Sequence, residues 1–419
     1  MPFIQDYLYT CSRNECPRNY HIWSALTIIA ASIHKRVCIN WGDIVIYPNL
    51  YVCLVGSQGS RKSTAKDIAR KVFKTAFPDY PVNASVQSRE DIIKYMSSDE
   101  QAIYFKDAND TTIEVRPIMM FINELKNFLS INPSGMIDFI TDIYDRDYFD
   151  CSTIKHSLQD IPNPCVNILA CETPKWITDK LKADIITGGF TRRVLYVYET
   201  EPVKKISFPI PPPDYLIVRA KLVKHLHLIS TFAGEFKWQQ EALAYWDKWY
   251  QGLIHPTDEI MAGYYQSKHI QCLKVAMLLA LAEDEPKLVL TPDLLEQASA
   301  LLNHIEINMP KLSVAAGRNE LAVPQQKLLE LLESNGGWMP EKILKRATDR
   351  DLNPAEQAAV LRHLVDTDQI IITTMRDSKG TDRLMVLTKR KYNEEKEAHE
   401  KRKASDGHAQ ILGATISKS

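Results

Sequence analysis

From residue 51 the chain alternates short runs that are apolar at nearly every position with longer stretches of helical period. The continuous runs are YVCLVG (51–56), RPIMMFINE (116–124), PCVNILACETP (164–174) and RRVLYVYE (192–199). Between them, 62–76, 88–98 and GMIDFITDIYD (135–145) read as helices, the second opened by the capping-box pattern SRED (88–91). Strands apolar on both sides and separated by helices predict a parallel sheet with helices on both faces. Upstream, residues 1–36 read as helical, and HIWSALTIIAASIHKRV (21–37) is apolar on most sides, the pattern of a buried helix.

A proline cluster in EPVKKISFPIPPPD (201–214) denies the backbone its donors and predicts a linker or extended strap. Nearly everything from 215 to 315 has helical period, HIQCLKVAMLLALAEDE (269–285) included, and is expected as a helical lid. Between 320 and 389, three helices precede two strands around an Asp-Ser-Lys-Gly turn, which is the order of a winged helix. The expected organisation is a helical segment 1–36, an α/β core 37–200, the linker 201–214, the lid 215–315, the winged helix 320–389 and a charged tail 390–419. The tail is expected as frayed helix or disorder.

Composition narrows the class without naming a function. A length of 419 residues favours two or three domains, and 45% hydrophobic with 25% charged residues suits a globular chain with a sizeable core. The formal net charge of −1 gives no global basic field, so any surface for nucleic acid must be local. No apolar run reaches the length of a membrane span and the first 20 residues lack signal-peptide shape, so a cytoplasmic protein without a membrane partner is expected. The eight cysteines, among them Cys38, Cys53, Cys165 and Cys171 in apolar runs, read as small buried hydrophobes. Cys11 and Cys16 have the spacing of half a zinc site, but no second pair answers them.

The candidate chemistry starts at LVGSQGSRKSTAKDIARKV (54–72), where a glycine- and serine-rich loop joins a strand to a basic helix. Phosphate binding needs N–H groups converging at a helix N-terminus, glycines for a tight wrap, a lysine for the terminal phosphates and a hydroxyl for Mg2+. Gly56, Ser57, Gln58, Gly59, Ser60, Arg61, Lys62, Ser63 and Thr64 supply that set and point to ATP and Mg2+ as cofactors, with Ser63 on the metal. Arg61 stands where the usual signature has its last glycine; its side chain can leave the loop while its N–H stays in the cradle.

Hydrolysis also needs a second strand ending in acids, and IMMFINE ends in Asn123 and Glu124. Glu124 is expected to orient and deprotonate the attacking water, the plainer reading being a polar strand end. Asn123 takes the metal-holding place usual for aspartate, keeping an oxygen but losing the charge; Asp142, Asp145 and Asp147 are candidates to compensate. On the next strand Thr173 is the candidate sensor of terminal phosphate or attacking water, against a plain turn residue. Arg193, with Arg192 as alternate, is the candidate to complete a neighbouring subunit's site in trans. The alternatives for these arginines are capping a strand edge and binding phosphate in cis.

In order, YPNLYVCLVGSQGSRKST, FINELKNFL, NILACETP, GGFTRRVLYVYE and SKHIQCLKVAMLLAL resemble the primase-associated P-loop ATPases of phages, plasmids and genomic islands, over about residues 17–312. The resemblance implies an additional-strand P-loop core related to hexameric replicative helicases, hence a ring-like homo-oligomer on single-stranded or forked DNA. It also implies a primase or other replication protein as partner; no primase domain is visible in the chain. Asn123 departs from the acidic pair common in such enzymes, which bears on turnover more than on nucleotide binding.

Ring helicases grip single strands with basic or aromatic loop residues. Lys155 and His156, at the tip of a hairpin expected in 144–164, are candidates for that grip, against an ordinary surface loop. In the winged helix, Arg362 and His363 on the third helix and Lys379 on the wing are candidate DNA contacts, with Lys345, Arg346, Arg376 and Arg383 around them. Acids balance bases there, and such domains also dock proteins. Lys268 and Lys274 are candidates to face nucleotide from the lid. Trp238, Tyr245, Trp246 and Trp249 fall at helical spacing and read as core before base-stacking. The function expected first is a DNA-dependent helicase-like ATPase of mobile-element replication. The alternatives are an ATP switch (helicase loader, transposition regulator or defence ATPase) and a scaffold with a dead site.

Overall fold

The computed structural model describes residues 2–397 apart from 81, 84–87, 108–109, 131–132, 154–155, 175–176, 178–188, 200–204, 255–258, 309–321, 350–351 and 377–380. The chain is a mixed α/β protein in two compact units, Met1–Gly317 and Arg318–Ser419.

The first unit is organised by a parallel sheet whose spatial order is β10-β3-β9-β6-β4. Its strands are β3 (Tyr51–Val55), β4 (Val82–Asn83), β6 (Thr112–Ile122), β9 (Pro164–Glu172) and β10 (Val194–Tyr198), with β5 (Ile103–Lys106) antiparallel on β6. Every residue of β3 and β9 is buried, so both faces of the sheet are covered, which is why these strands read as continuous apolar runs. In register, Val55 lies beside Glu172 and Tyr198, and Ile122 beside Ala170. The C-terminal strand ends therefore form one edge carrying Gly56, Asn123, Thr173 and Glu199. The last strand begins at Val194, two residues later than its apolar pattern suggested, because Thr191–Arg193 form a 3-10 turn.

Helices α1 (Pro2–Thr10), α2 (Arg18–Ile33) and α3 (Lys62–Ala76) precede α4 (Arg89–Ser97), α5 (Leu125–Ser130) and α6 (Pro133–Asp142). All of α2 from Tyr20 to Ile33 is buried; its polar Thr27 and Ser32 return their hydroxyls to the carbonyls four residues back, both at 2.7 Å. The capping box expected at Ser88 is present, closed by Asp91. The expected hairpin is also formed, by β7 (Tyr148–Thr153) and β8 (His156–Pro162).

The stretch expected as a separate lid contains α7 (Tyr215–Ile229), α8 (Gln240–Gln251), α9 (Glu259–Leu281) and α10 (Pro292–Glu306), which share one hydrophobic core with the sheet and the N-terminal helices. The reason is that α9 from Cys272 onward is apolar at every position but Lys274 and is wholly buried there. Also in the unit are the short strands β1 (Val37–Trp41), β2 (Ile44–Ile46), β11 (Gly234–Glu235) and β12 (Lys237–Trp238), the last beside β13 (Val289–Leu290). Trp246 is buried, with Trp41 edge-on at 5.7 Å and Trp238 at 5.9 Å, so this aromatic group is core. No helix among the described residues is long and apolar enough to cross a membrane.

The second unit has its own core, including Leu328, Leu332, Leu344, Val360, Leu364 and Val386. Helices α11 (Ala322–Ser334), α12 (Glu341–Thr348) and α13 (Pro354–Asp366) pack with a three-stranded sheet ordered β14-β16-β15. Strands β15 (Ile370–Arg376) and β16 (Asp382–Thr388) are the expected hairpin; β14 (Trp338–Pro340) is a third strand that the pattern did not reveal. Asn353 and Glu356 cap α13 reciprocally.

Phe121 is fully buried in the central sheet whereas Phe208 is 78% exposed. Phe121→Ala is expected to cost about 3–5 kcal/mol in denaturant unfolding, and Phe208→Ala less than about 0.5 kcal/mol.

Candidate functional site

At the end of β3 the Gly56 N–H donates to the Glu172 carbonyl (3.2 Å), and the Tyr20 hydroxyl donates to the Val55 carbonyl at 2.6 Å. A Cβ on Gly56 would stand 2.4 Å from that hydroxyl and 2.6 Å from Ser60 Oγ, so the close approach requires glycine. The loop then turns through the left-handed region twice, at Gly59 (φ 83°) and at Arg61 (φ 64°), and α3 starts at Lys62. Among the described residues no side chain caps α3, which leaves its leading N–H groups uncapped. Ser57, Gln58, Gly59, Ser63 and Thr64 are exposed around this helix start, and Ser60 is buried beneath it.

The Arg61 side chain leaves the loop, as expected. Its Nε and Nη2 donate to Glu15 Oε2 at 3.1 and 2.7 Å, while Cys16 Sγ donates to its carbonyl. The other Glu15 oxygen accepts the Ile206 N–H at 3.0 Å, and this bond, then Arg61, holds the carboxyl below the usual range. Outside partners thus hold a backbone conformation that glycine adopts freely. Cys16 is engaged here and Cys11 is buried; among the described residues no group of three or more His, Cys, Asp or Glu is arranged to hold a metal.

Lys62 Nζ bends back onto the loop and donates to the Gly56 and Ser57 carbonyls (both 2.6 Å) and to Ser60 Oγ (3.1 Å). Burial draws its pKa below the usual lysine value, while Cys171 and Glu172 pull the other way. The site edge therefore offers a cation, a hydroxyl at Ser63 and uncapped helix amides, a donor set suited to a phosphate chain.

Asn123 and Glu124 follow β6 and both are exposed. Glu124 Oε2 accepts from Asn127 Nδ2 (2.9 Å) and pairs with Lys126 Nζ (3.2 Å), so its carboxylate rests on its own helix. Thr173 donates both its N–H (2.7 Å) and its hydroxyl (3.2 Å) to Glu172 Oε1. Glu172 itself is buried and lies directly beside the loop strand, with its second oxygen on the Lys126 N–H (2.8 Å). Its sequence signal, an acid ending an apolar strand, equals that of Glu124, and only the strand register ranks the two.

Arg192 and Arg193 precede β10, at the sheet edge opposite the loop. Five strand residues separate the two edges, about 16 Å at the usual rise, so the backbone of both arginines starts well away from the loop. Arg193 is taken within its own chain: Nη1 donates to the Gly189 carbonyl (2.8 Å) and Nε lies 3.4 Å from Asp145. Arg192 is exposed. The acids considered as substitutes for a metal-holding aspartate are held by cations instead: Asp142 by Arg146, Asp147 by Lys35, and Asp145 by Arg193 and Lys274.

The two helix lysines are both engaged inside the unit. Lys268 is buried against Glu306 (2.8 Å) and Asn303, and Lys274 against Asn49 Oδ1 (2.8 Å), with its ammonium 4.0 Å from the Tyr144 ring centre. Both are buried, so they reach the nearest buried acceptors. Asn49 precedes β3, which puts Lys274 at the edge away from Gly56.

Of the nucleic-acid candidates, Lys155 and Lys379 lie outside the described residues, and His156 opens β8. Arg362 and His363 are exposed on α13. Lys345 pairs with Glu341 and Arg376 with Asp382, which leaves less free positive charge around them than the sequence suggested. Comparison with protein families finds no family model that matches the chain, and comparison with curated proteins finds no match.

Gly56→Ala is expected to destabilise the first unit by about 1–3 kcal/mol through overpacking. Arg61→Gly should change stability by less than about 1 kcal/mol, since relief of the left-handed strain offsets loss of an exposed ion pair. Denaturant unfolding of both variants checks the contrast.

Burial draws Lys274 from the usual 10.5 to about 8, against the opposing pull of Asp145. Between those values the unfolded chain binds the proton more tightly, so this residue's contribution to stability rises with pH. Buried thiols such as Cys171, pushed up to about 12 by burial, act in the opposite sense. The informative quantity is therefore the difference between the natural chain and Lys274→Met, which should move in favour of the natural chain from about pH 7.5 to about 9.5. A difference that stays flat would mean an ordinary lysine.

Proposed function

We propose that the chain is an ATP-dependent, helicase- or translocase-like ATPase of mobile-element DNA replication, acting as a ring oligomer on nucleic acid. The observation that carries this reading is the strand order. The loop strand β3 and the acid-bearing strand β6 are separated by one inserted strand, β9, and the loop, Asn123–Glu124 and Thr173 all leave the same sheet edge. That is the arrangement expected of an additional-strand P-loop core. Gly56–Thr64 would hold the ATP phosphates, Lys62 exchanging its resting carbonyl partners for phosphate oxygens.

ATP and Mg2+ would enter together. Ser63 and Asn123 are neutral donors, so the phosphates themselves carry most of the metal's charge neutralisation. Glu124 would turn from Lys126 and Asn127 to the attacking water. For the neighbour's transition state we assign Arg192 ahead of Arg193, because Arg193 is anchored to Asp145 and Gly189. The second unit would be a winged helix, and the β7–β8 hairpin would meet the nucleic acid.

A second reading, an ATP switch that assembles and recruits a partner without processive unwinding, is favoured by two observations. Asn123 removes a charge from the metal position. The N-terminal half of the exposed face of α13 carries Ala355, Ala358 and Ala359, with Glu356 committed to the helix cap and Arg362 and His363 exposed only beyond them, a surface nearer to protein docking than to base reading.

Steady-state ATP hydrolysis with and without single-stranded DNA separates the two. The motor reading expects strong DNA stimulation, with Lys62→Ala abolishing nucleotide binding and Glu124→Gln lowering kcat by about 100-fold or more while ATP still binds. Tight ATP binding with slow, DNA-indifferent turnover would select the switch.

A further inference from the structure

Glu172 ends the strand directly beside the loop strand, yet the residue is only 2% exposed and both carboxylate oxygens are taken by its own chain. A carboxylate is costly to bury unless several donors satisfy it. Here three donors on two residues do so. Oε2 accepts the Lys126 N–H at 2.8 Å, and Oε1 accepts the Thr173 N–H at 2.7 Å and the Thr173 hydroxyl at 3.2 Å. On its other side the Glu172 backbone carbonyl accepts the Gly56 N–H at 3.2 Å.

The residue therefore touches the phosphate loop, the first turn of α5 and Thr173. Its main chain holds the first residue of the phosphate loop. Its side chain holds the first turn of α5, two residues after Glu124, and orients Thr173. Because β9 separates β3 from β6, the loop and Glu124 stand two strand spacings apart, about 10 Å, and Glu172 is the group that spans the gap.

We propose that Glu172 is a positioning residue: it clasps the Asn123–Glu124 turn to the phosphate loop and sets the distance at which Glu124 meets the water attacking the terminal phosphate. This rests on the ATPase reading given above. The lost charge at Asn123 raises its importance, since a neutral side chain there gives the β6–α5 turn a weaker hold on a bound metal and leaves the clasp to fix it. Positioning errors on the ångström scale cost turnover far more than affinity.

The experiment is single-turnover and steady-state ATP hydrolysis by the full chain, with ATP affinity measured separately. It compares the natural chain, Lys62→Ala, Glu124→Gln, Glu172→Gln and the Glu124→Gln/Glu172→Gln double variant. An amide at 172 keeps the shape but turns a donor toward the N–H groups it must accept. The expected result for Glu172→Gln is ATP affinity within about 3-fold and kcat lowered by about 30-fold or more. Because Glu172 acts through Glu124, the double variant should be no slower than Glu124→Gln alone.

Lys126→Pro provides an independent route should Glu172→Gln fail to fold. It deletes the N–H that Glu172 accepts in the first turn of α5, where proline is tolerated, and should reproduce the kcat loss at unchanged ATP affinity. Retained kcat in Glu172→Gln or Lys126→Pro, or a double variant slowed multiplicatively, overturns the clasp while Lys62→Ala still abolishes binding. If Lys62→Ala binds and hydrolyses ATP like the natural chain, the nucleotide reading fails first and takes the clasp with it.

Discussion

The pairing of β9 between β3 and β6 is the constraint from which the rest of the first unit follows. Parallel strands cannot be joined by tight turns, so each of these strands must be followed by a crossover that returns to the opposite edge. All the outgoing loops then gather on one side. In this chain that side holds Gly56–Thr64, Asn123–Glu124 and Thr173, residues scattered over more than a hundred positions. The fully buried strands make the arrangement rigid: a slip of one residue would move Glu172 out of the site and an apolar neighbour into it.

The opposite edge is built from charge. Lys274, Arg193, Asp145 and Tyr144 meet where β3 and β10 begin, and Lys35 reaches Asp147 and the Arg146 carbonyl at 2.6 Å. These contacts fasten residues 144–147, the segment that leads into the β7–β8 hairpin. Buried cations of this kind are sustained by specific acceptors, and losing one partner leaves the other uncompensated. The polar groups on otherwise apolar helices are thus structural ties that join α9 and the sheet.

The loop shows how a departure from an ordinary signature is absorbed. A left-handed residue before α3 is easiest for glycine, and Arg61 holds the same conformation because Glu15 and Cys16 take its side chain and carbonyl. Glu15 in turn accepts from Ile206 in the proline-rich strap. The cost of the substitution is therefore shared by segments that lie far from the loop in sequence.

Local order was legible in the sequence wherever a side-chain period or a turn residue dictates it. The continuous apolar runs of β3, β6 and β9, the start of α3 at Lys62, the Ser88 cap and the outward path of Arg61 all follow from nearest-neighbour chemistry. What the sequence could not rank were residues with the same local signal. Glu124 and Glu172 both end apolar strands, and Arg192 and Arg193 stand side by side. Lys268 and Lys274 look like surface lysines on a helix. Only the tertiary structure decided that Glu172 is enclosed beside the loop, that Arg193 is anchored while Arg192 is exposed, and that both lysines are buried. Strand order and burial are properties of the whole packed sheet, set by which crossovers cover which face. The identity of a residue and of its near neighbours carries no record of them.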